Sequence, residues 1–250
     1  MKKNNSLKAG SRSPFPVALV TGASRGLGEQ IAIALSGNGY RIAANYLHSD
    51  REAAELVRRA GKNSLPVMAD VGDLKQVEEM VAQIENTFGR LDAVINNAGI
   101  TRDSLLIRQT EGEWDEVLAT NLRGCFNVIK SAAPLMIKSG GGHIVNVSSY
   151  SGVKGKSGQA AYSASKAAVI GLTYTAAAEL SGYQIKVNAL LPGYLPTGMG
   201  VKASDAMEKA RERSIIKKLS SPAEAAAFVV TLLKTENITG QVFSLDSRIM

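Results

Sequence analysis

Short runs of apolar residues alternate along the chain with longer segments in which apolar side chains recur every three or four positions. The first run, 17–21, is followed by a segment in which Ile31 and Leu35 share one helical face and which closes at Gly37. Runs of four to eight apolar residues are typical of buried strands, and the longer spacing is typical of amphipathic helices. The predicted strands are 17–21, 41–46, 65–69, 91–95, 143–148, 185–190 and 238–246.

Strands that alternate with helices predict an α/β fold whose parallel strands are joined by right-handed crossovers. Further helices are predicted at 50–59 and 73–87, after Trp114 and around Tyr162. No internal repeat, Pro/Ser linker or long apolar run divides the 250 residues, of which 45% are hydrophobic. We therefore expect one domain over 15–250 and no segment that crosses a membrane.

The first fourteen residues differ from the rest in charge. The net charge is +7, and four of the positive charges belong to Lys2, Lys3, Lys8 and Arg12, in a stretch without acids. We expect 1–14 to form a disordered basic tail, which lacks the apolar segment of a secretory signal. The remaining positive surplus is too small to indicate nucleic-acid binding. A single cysteine, expected to be a buried apolar residue, excludes an intrachain disulfide and is consistent with a cytoplasmic protein.

A glycine-rich turn lies between the first strand and the first helix. Its sequence is T-G-A-S-R-G-L-G, in which Gly22, Gly26 and Gly28 are spaced G-x3-G-x-G. Glycines at this position allow a sharp turn and close approach to a pyrophosphate, which the amides at the helix N-terminus can bind. The turn therefore favours dinucleotide binding, with a purely structural turn as the alternative.

The second strand ends in N-Y-L-H-S and has no acid where enzymes that prefer the unphosphorylated dinucleotide bind the ribose hydroxyls. Arg25, with Asn45 and Ser49 nearby, would instead suit a 2′-phosphate, which favours NADPH over NADH. The alternative for Arg25 is a solvated loop cation. Asp70 and Val71 follow the third strand, where the carboxylate could reach the adenine amino group or cap the next helix.

Candidate catalytic groups follow the fourth and fifth strands. Asn96–Gly99, N-N-A-G, offers the small residues that a nucleotide needs at the end of a strand. Tyr162 and Lys166 are four residues apart on a predicted helix, so that they share one face and the ammonium is expected to lower the pKa of the phenol. Ser149 ends the fifth strand and could return to Tyr162 through a Gly-containing loop. A Tyr and Lys pair on a surface helix also arises by chance.

The combination of T-G-x3-G-x-G, N-N-A-G and S…Y-x3-K, in this order, resembles the short-chain dehydrogenase/reductase family over residues 15–246. The resemblance implies a single-domain, Rossmann-type, doubly wound and mainly parallel seven-stranded sheet with helices on both faces. It implies that Tyr162 is the acid/base, that Lys166 lowers its pKa and holds the nicotinamide ribose, and that Ser149 positions the carbonyl. Asn121 matches the residue that holds a water linked to the lysine.

The resemblance also implies the cofactor site and a mobile substrate lid over about 195–219. The sequence has no cluster of metal ligands that would suggest a catalytic ion. Pro192 and Gly193 match the turn beside the nicotinamide, and Thr197 matches its carboxamide contact. The predicted cofactor-binding residues are Gly22, Ser24, Arg25, Gly26, Leu27, Gly28, Asn45, Asp70, Val71, Asn97, Ala98, Gly99, Tyr162, Lys166, Pro192, Gly193 and Thr197.

Within the family, S-G-Q-A-A-Y-S-A-S-K-A-A and I-K-V-N-A-L-L-P-G-Y are most similar to 3-oxoacyl-[acyl-carrier-protein] reductases. This implies a homotetramer and NADPH-dependent reduction of a 3-oxoacyl thioester. Gly140 and Tyr183 replace the arginines that bind the carrier protein, although Lys138, Lys154 and Lys156 could supply positive charge. The family's sequences close with D-G-G, and this chain has Asp246-Ser247-Arg248 at that place. Reduction of CoA thioesters or free ketones remains an alternative, as does a nucleotide-binding scaffold without catalysis.

Overall fold

A computed structural model describes residues 13–61, 64–197 and 204–249. Most of the expected tail, 1–12, and residue Met199 of the expected lid lie outside these ranges. For 1–12 the disordered tail stays a prediction. Ser13 is buried, and its amide donates a 2.7 Å hydrogen bond to the carbonyl of Phe88. Because this bond attaches the chain to the end of a helix, ordered structure is already present at Ser13.

Seven parallel strands form one sheet in the order β3-β2-β1-β4-β5-β6-β7, which confirms the doubly wound α/β prediction and makes the sheet wholly parallel. The strands are β1 (Val17–Val20), β2 (Arg41–Tyr46), β3 (Leu65–Met68), β4 (Ala93–Asn96), β5 (Gly142–Val147), β6 (Ile185–Leu191) and β7 (Val242–Ser244). The strand order reverses between β1 and β4. In such sheets, ligands bind beyond the carboxyl ends of the strands at this reversal.

Helices cover both faces of the sheet. They are α1 (Gly26–Gly37), α2 (Asp50–Arg59), α3 (Leu74–Phe88), α4 (Glu111–Leu118), α5 (Gly124–Ser139), α6 (Tyr150–Lys154), α7 (Ala160–Leu180), α8 (Ser204–Arg213) and α9 (Pro222–Leu232). The apolar sides of α1, α2 and α9 pack in one core, and those of α3, α5 and α7 pack in the other. Within the described ranges, no helix is both long and apolar enough to span a bilayer.

The helix predicted after Trp114 contains a π-helical turn, Ala119–Arg123, between α4 and α5. Asn121 lies in the middle of this turn and is 2% exposed. Single π turns inside α-helices are frequent at functional sites, because the extra residue changes which groups face a neighbouring element. Here the turn lies beside the carboxyl end of β4, where the sequence predicted the nucleotide cleft.

Candidate active site

The glycine turn has the backbone conformation that its sequence predicts. Gly22 and Gly26 have φ angles of 60° and 63°, in the left-handed region that glycine adopts without strain. A Cβ on Gly22 would lie 2.9 Å from the Cα of Ala98. The turn after β1 and the loop after β4 are therefore in backbone contact, and the N-terminus of α1 opens onto the space between them.

Asn97 fixes the position of this turn. Its Nδ2 donates to the carbonyls of Thr21 at 2.9 Å and Gly22 at 3.1 Å, while the Thr21 hydroxyl accepts hydrogen bonds from the amides of Asn97 and Ala98. A Cβ on Gly28 would lie 2.5 Å from the same Nδ2. Gly28 is therefore a packing position beneath Asn97, and it does not line the cleft to which its motif was assigned.

A cleft of about 1140 Å³ runs across the carboxyl ends of the strands. It brings together the glycine turn, the ends of β2 to β4, the loop after β6 and the polar groups that follow β5. Predicted site residues that line it are Gly22, Ser24, Arg25, Gly26, Leu27, Asn45, Asp70, Val71, Asn97, Ala98, Gly99, Ser149, Tyr162, Lys166, Pro192, Gly193 and Thr197. Of the predicted residues, only Gly28 and Asn121 lie elsewhere.

Asn45 and Asp70 stabilise the cleft through backbone contacts. The Asn45 side chain accepts from the amide of Gly22 at 3.3 Å and donates to the carbonyl of Ala69 at 3.0 Å. The alternative role for Asp70 as a helix cap is wrong. Its carboxylate accepts from the amide of Gly72, and Asp73 caps α3 by accepting from the first-turn amides. The side chain that reaches those amides is that of the residue directly before the helix, which is Asp73.

The two serines at the end of β5 have different positions. Ser148 is buried, and its hydroxyl donates a 2.7 Å hydrogen bond to the carbonyl of Lys166. Ser149 faces the cleft, caps α6 by accepting from the amide of Ser151, and is hydrogen-bonded to the phenol of Tyr162. The structure therefore brings Ser149 and Tyr162 together, although α6 and a turn separate them in the chain.

Lys166 lies one helical turn after Tyr162 on α7 and is 4% exposed. Its Nζ donates a 2.7 Å hydrogen bond to the carbonyl of Val147 and lies 5.8 Å from the centre of the Tyr162 ring. Burial lowers the pKa of Lys166 to about 8, an effect that the neighbouring Cys125 opposes. The ammonium is thus placed at the base of the cleft between the strand end and the phenol.

The expected low pKa of Tyr162 is not found. Burial raises the pKa of the phenol above its usual value, the hydrogen bond with Ser149 lowers it, and the charge of Asp103 raises it. The neighbouring cation favours the phenolate, but desolvation on burial disfavours it, and desolvation has the larger effect here. In this structure Tyr162 is therefore protonated at neutral pH, as a proton donor must be.

Asn121 lies on the inner side of Lys166. Its side-chain oxygen accepts from the amide of Ile100 at 2.8 Å, and its Nδ2 donates to the Ile100 carbonyl and to the Ser165 hydroxyl, both at 3.0 Å. A separate cavity of about 10 Å³ is lined by Asn121, Lys166 and Thr120, among others. This is about the space that one water molecule requires.

Several polar residues of the cleft were not predicted as site residues from the sequence. Asp103 accepts hydrogen bonds from Nε2 of Gln159, the nearer at 3.0 Å, and Gln159 accepts from the hydroxyl of Ser151. Gln159 precedes Tyr162 by three residues, a helical spacing that could have identified it. Asp103 belongs to no motif. The cleft is also lined by Lys156, Lys209, Arg213 and Arg248, three of which come from the last quarter of the chain.

Two other predictions concern reactive groups. Cys125 is buried, in agreement with the sequence analysis, and burial raises the pKa of its thiol to about 12. A thiol with such a pKa is unreactive at neutral pH. Among the residues that the structure describes, no three His, Cys, Asp or Glu side chains group closely enough to hold a metal ion.

Comparison with known proteins agrees with this fold. The family profile described as short chain dehydrogenase matches residues 16–208, and the chain belongs to this family. The protein is 42% identical over 235 residues to the 3-oxoacyl-[acyl-carrier-protein] reductase FabG of Staphylococcus aureus (strain Mu50 / ATCC 700699), covering 92% of this chain and 96% of that protein.

Two further relatives carry the same description. The FabG of Thermotoga maritima is 41% identical over 237 residues, with 92% of this chain and 96% of the relative covered. The 3-oxoacyl-[acyl-carrier-protein] reductase of Synechocystis sp. is 38% identical over 237 residues, with 92% and 95% covered. The similarity therefore extends over nearly the whole of each chain.

Proposed function

We propose that this protein uses NADPH to reduce the 3-oxo group of an acyl thioester, in fatty acid synthesis or a related pathway. The observation that carries the proposal is the hydrogen bond between Ser149 and Tyr162 in the cleft, with the buried Nζ of Lys166 5.8 Å from the centre of the Tyr162 ring. Two hydroxyls and a cation at one position suit an oxygen that gains negative charge during reduction. The names of the relatives supply the substrate class.

The residues of the site have separate roles in this reaction. Hydride transfer to the carbonyl carbon is the chemistry that NADPH would supply when bound in the cleft. Ser149 donates a hydrogen bond to the carbonyl oxygen and orients it, and Tyr162 gives its phenolic proton to the same oxygen. Lys166 stabilises the phenolate that remains. Asn121 acts from behind Lys166, beside a cavity through which a water could return a proton to Tyr162.

The glycine turn fits a dinucleotide. Any side chain on Gly22 would fill the space beside Ala98, and the N-terminus of α1 faces the cleft, where its amides can bind a pyrophosphate. Arg25 lines the same end of the cleft and is exposed. Since the end of β2 bears no acid, we assign Arg25 to the 2′-phosphate of NADPH, while Asn45 holds the backbone around it.

The reacting groups leave the acyl carrier open, and the positions at which the family binds the carrier protein have changed in this chain. Gly140 ends α5, and Tyr183 is exposed after α7; neither lines the cleft. Lys138 forms a 2.6 Å ion pair with Glu85, so part of its charge is neutralised. A reductase of CoA thioesters or free ketones is therefore the second candidate function.

A homotetramer in the cytoplasm is part of the proposal. Phe126 on α5 and Tyr174 on α7 are each about half exposed, at 47% and 51%. Aromatic side chains of this exposure on two neighbouring helices suit a helix-to-helix interface between subunits. We also propose that 195–219 forms the substrate lid, of which α8 is the described helical part.

Reduction of acetoacetyl thioesters on acyl carrier protein, on CoA and on a short thiol tests the proposal, with NADPH absorbance as the readout and NADH as the control cofactor. A large preference for the carrier-protein thioester would support the first function. Equal rates on all three would support the general reductase. No turnover of any thioester or ketone, with unchanged cofactor binding in Tyr162→Phe, would instead indicate a scaffold without catalysis.

A further inference from the structure

The C-terminal turn after β7 joins the wall of the cleft. The guanidinium of Arg248 lies 4.0 Å from the centre of the Tyr150 ring, and its Nε donates a 2.7 Å hydrogen bond to Asp246. The hydroxyl of Tyr150 donates to the carbonyl of Ile249 at 3.3 Å. Tyr150 directly follows Ser149, so that this turn lies at the substrate end of the cleft.

The same turn holds the end of helix α8. The hydroxyls of Ser214 and Ser247 are in hydrogen-bond contact, and the amide of Ile215 donates to the carbonyl of Ser247 at 3.2 Å. Ser247 and Arg248 stand where the family ending has two glycines, which could form neither of the side-chain contacts. The departure from D-G-G therefore attaches α8 to Tyr150 and so to the substrate end of the cleft.

Helix α8 turns two cations toward the cleft. Lys209 and Arg213 are four residues apart, share one face of the helix and both line the cleft, with exposed side chains. In the described part of the chain neither forms an ion pair with an acid. Arg211, on another face of α8, pairs instead with Glu208 at 2.6 Å and does not line the cleft.

The charge of this end of the cleft is positive overall. Lys156 approaches from the loop after α6, and Arg248 is balanced by Asp246. Among the residues that the structure describes, Asp103 is the carboxylate that lines this end, and it accepts hydrogen bonds from Gln159 and from Thr101. Unpaired cations beside a deep cleft attract an anionic group, and Arg and Lys are the usual partners of phosphate.

We propose that Lys209 and Arg213 bind the phosphate at the outer end of the substrate's pantetheine arm. The two cations of α8 would then form a site that determines substrate specificity. The inference rests on the proposed function, since acyl carrier protein and CoA share this arm and its phosphate. The cofactor's phosphates belong at the opposite end, near Arg25 and the N-terminus of α1.

The test uses acetoacetyl pantetheine thioesters with and without the 4′-phosphate. For the double variant Lys209→Ala/Arg213→Ala, the ratio of kcat/KM for the phosphorylated arm to that for the unphosphorylated arm should fall about tenfold. Arg211→Ala removes one cation from the same helix outside the cleft, and should leave the ratio unchanged. An equal loss on both arms, or no change in the ratio, would overturn the proposal.

Two further measurements separate the sources of the effect. If the shared phosphate is bound, kcat/KM of the double variant should fall for both acetoacetyl-CoA and acetoacetyl carrier protein. A fall confined to the carrier protein would mean that the two cations bind the surface of that protein, and it would contradict the proposal. The Kd of NADPH, followed by fluorescence, should not change. A weaker Kd would reassign Lys209 and Arg213 to the cofactor.

The phosphate site can also be tested independently of the proposed function. If the unaltered protein reduced no oxoacyl thioester, calorimetric titration of the protein and NADPH with phosphopantetheine and with pantetheine would still decide the site. Tighter binding of the phosphorylated compound, lost in the double variant, would support it. Equal binding of the two compounds would reject it.

Discussion

The ammonium of Lys166 donates a 2.7 Å hydrogen bond to the carbonyl of Val147, the last residue of β5. This bond connects the helix that carries Tyr162 to the strand end that leads into Ser149. It also compensates in part for burial of a charge that is only 4% exposed. With the hydrogen bond from the Ser148 hydroxyl to the Lys166 carbonyl, this contact fixes the helix that carries Tyr162 and Lys166 against the strand end that leads into Ser149.

The first prediction concerns pH. Because the pKa of Lys166 is lowered to about 8, the side chain is charged at pH 7 and neutral well above pH 8. A neutral lysine cannot stabilise the Tyr162 phenolate, so kcat for reduction should fall as the pH rises through about 8. Steady-state kinetics from pH 6 to 10 measure this fall.

Two variants of Lys166 provide the controls. Lys166→Met should lower kcat by about 10² or more below pH 8, because the phenolate then has no cation beside it, and the difference from the unaltered protein should shrink above pH 8. Lys166→Arg keeps a charge throughout this range. It should retain some activity without the fall near pH 8. The same fall in the Arg variant would assign the titration to another group.

The second prediction concerns two glycines of α1. Gly28→Ala should destabilise the protein and weaken NADPH binding, because its Cβ would lie 2.5 Å from both the Asn97 amide and the Gly22 carbonyl. Gly37→Ala is the matched control, since a Cβ there meets no atom within 4 Å. It should be neutral or stabilise by about 0.5 kcal/mol. Urea unfolding and NADPH fluorescence measure both, and equal effects would contradict the packing argument.

The third prediction concerns cofactor choice. Arg25→Ala should raise the KM for NADPH about tenfold and leave the KM for NADH nearly unchanged, because only NADPH carries the 2′-phosphate. Kinetics with both cofactors at one fixed thioester concentration measure the two values. Parallel increases for NADPH and NADH would show that Arg25 supports the turn and does not select the cofactor.

The fourth prediction concerns His143, which lies in β5 and is 9% exposed. Burial and the charge of Lys186 lower its pKa to about 4, from an ordinary value of 6.5. The unfolded chain therefore binds a proton more readily, and stability is lost as the pH falls from 6.5 toward 4. By pH 5 the loss amounts to about 2 kcal/mol relative to neutral pH.

Urea unfolding at pH 7.5 and pH 5 checks the role of His143. His143→Gln should remove most of the difference between the two pH values, since glutamine takes up no proton. His48→Gln changes an exposed loop histidine and should preserve the difference. If both variants behaved like the unaltered protein, other groups would account for its acid sensitivity.

The sequence predicted each strand and the glycine turn, but not every side-chain role. Asp70 and Asp73 are the same residue type three positions apart, so the local sequence could not decide which caps α3. The Asp103–Gln159 pair joins residues 56 positions apart, which no motif connects. The choice of Ser149 over Ser148 agrees with the geometry, since the Ser148 hydroxyl donates to the Lys166 carbonyl and the Ser149 hydroxyl is the one hydrogen-bonded to the phenol of Tyr162.

The sequence by itself determined the alternation of strands and helices, the positive φ angles of the glycine turn, and the placement of Tyr162 and Lys166 on one helical face. These properties depend on the backbone preferences and spacing of neighbouring residues. Only the tertiary structure decided that Tyr162 is protonated, that Lys166 titrates near pH 8 and that Arg248 packs on Tyr150. Desolvation and contacts between distant segments arise when the chain packs, and no local pattern contains them.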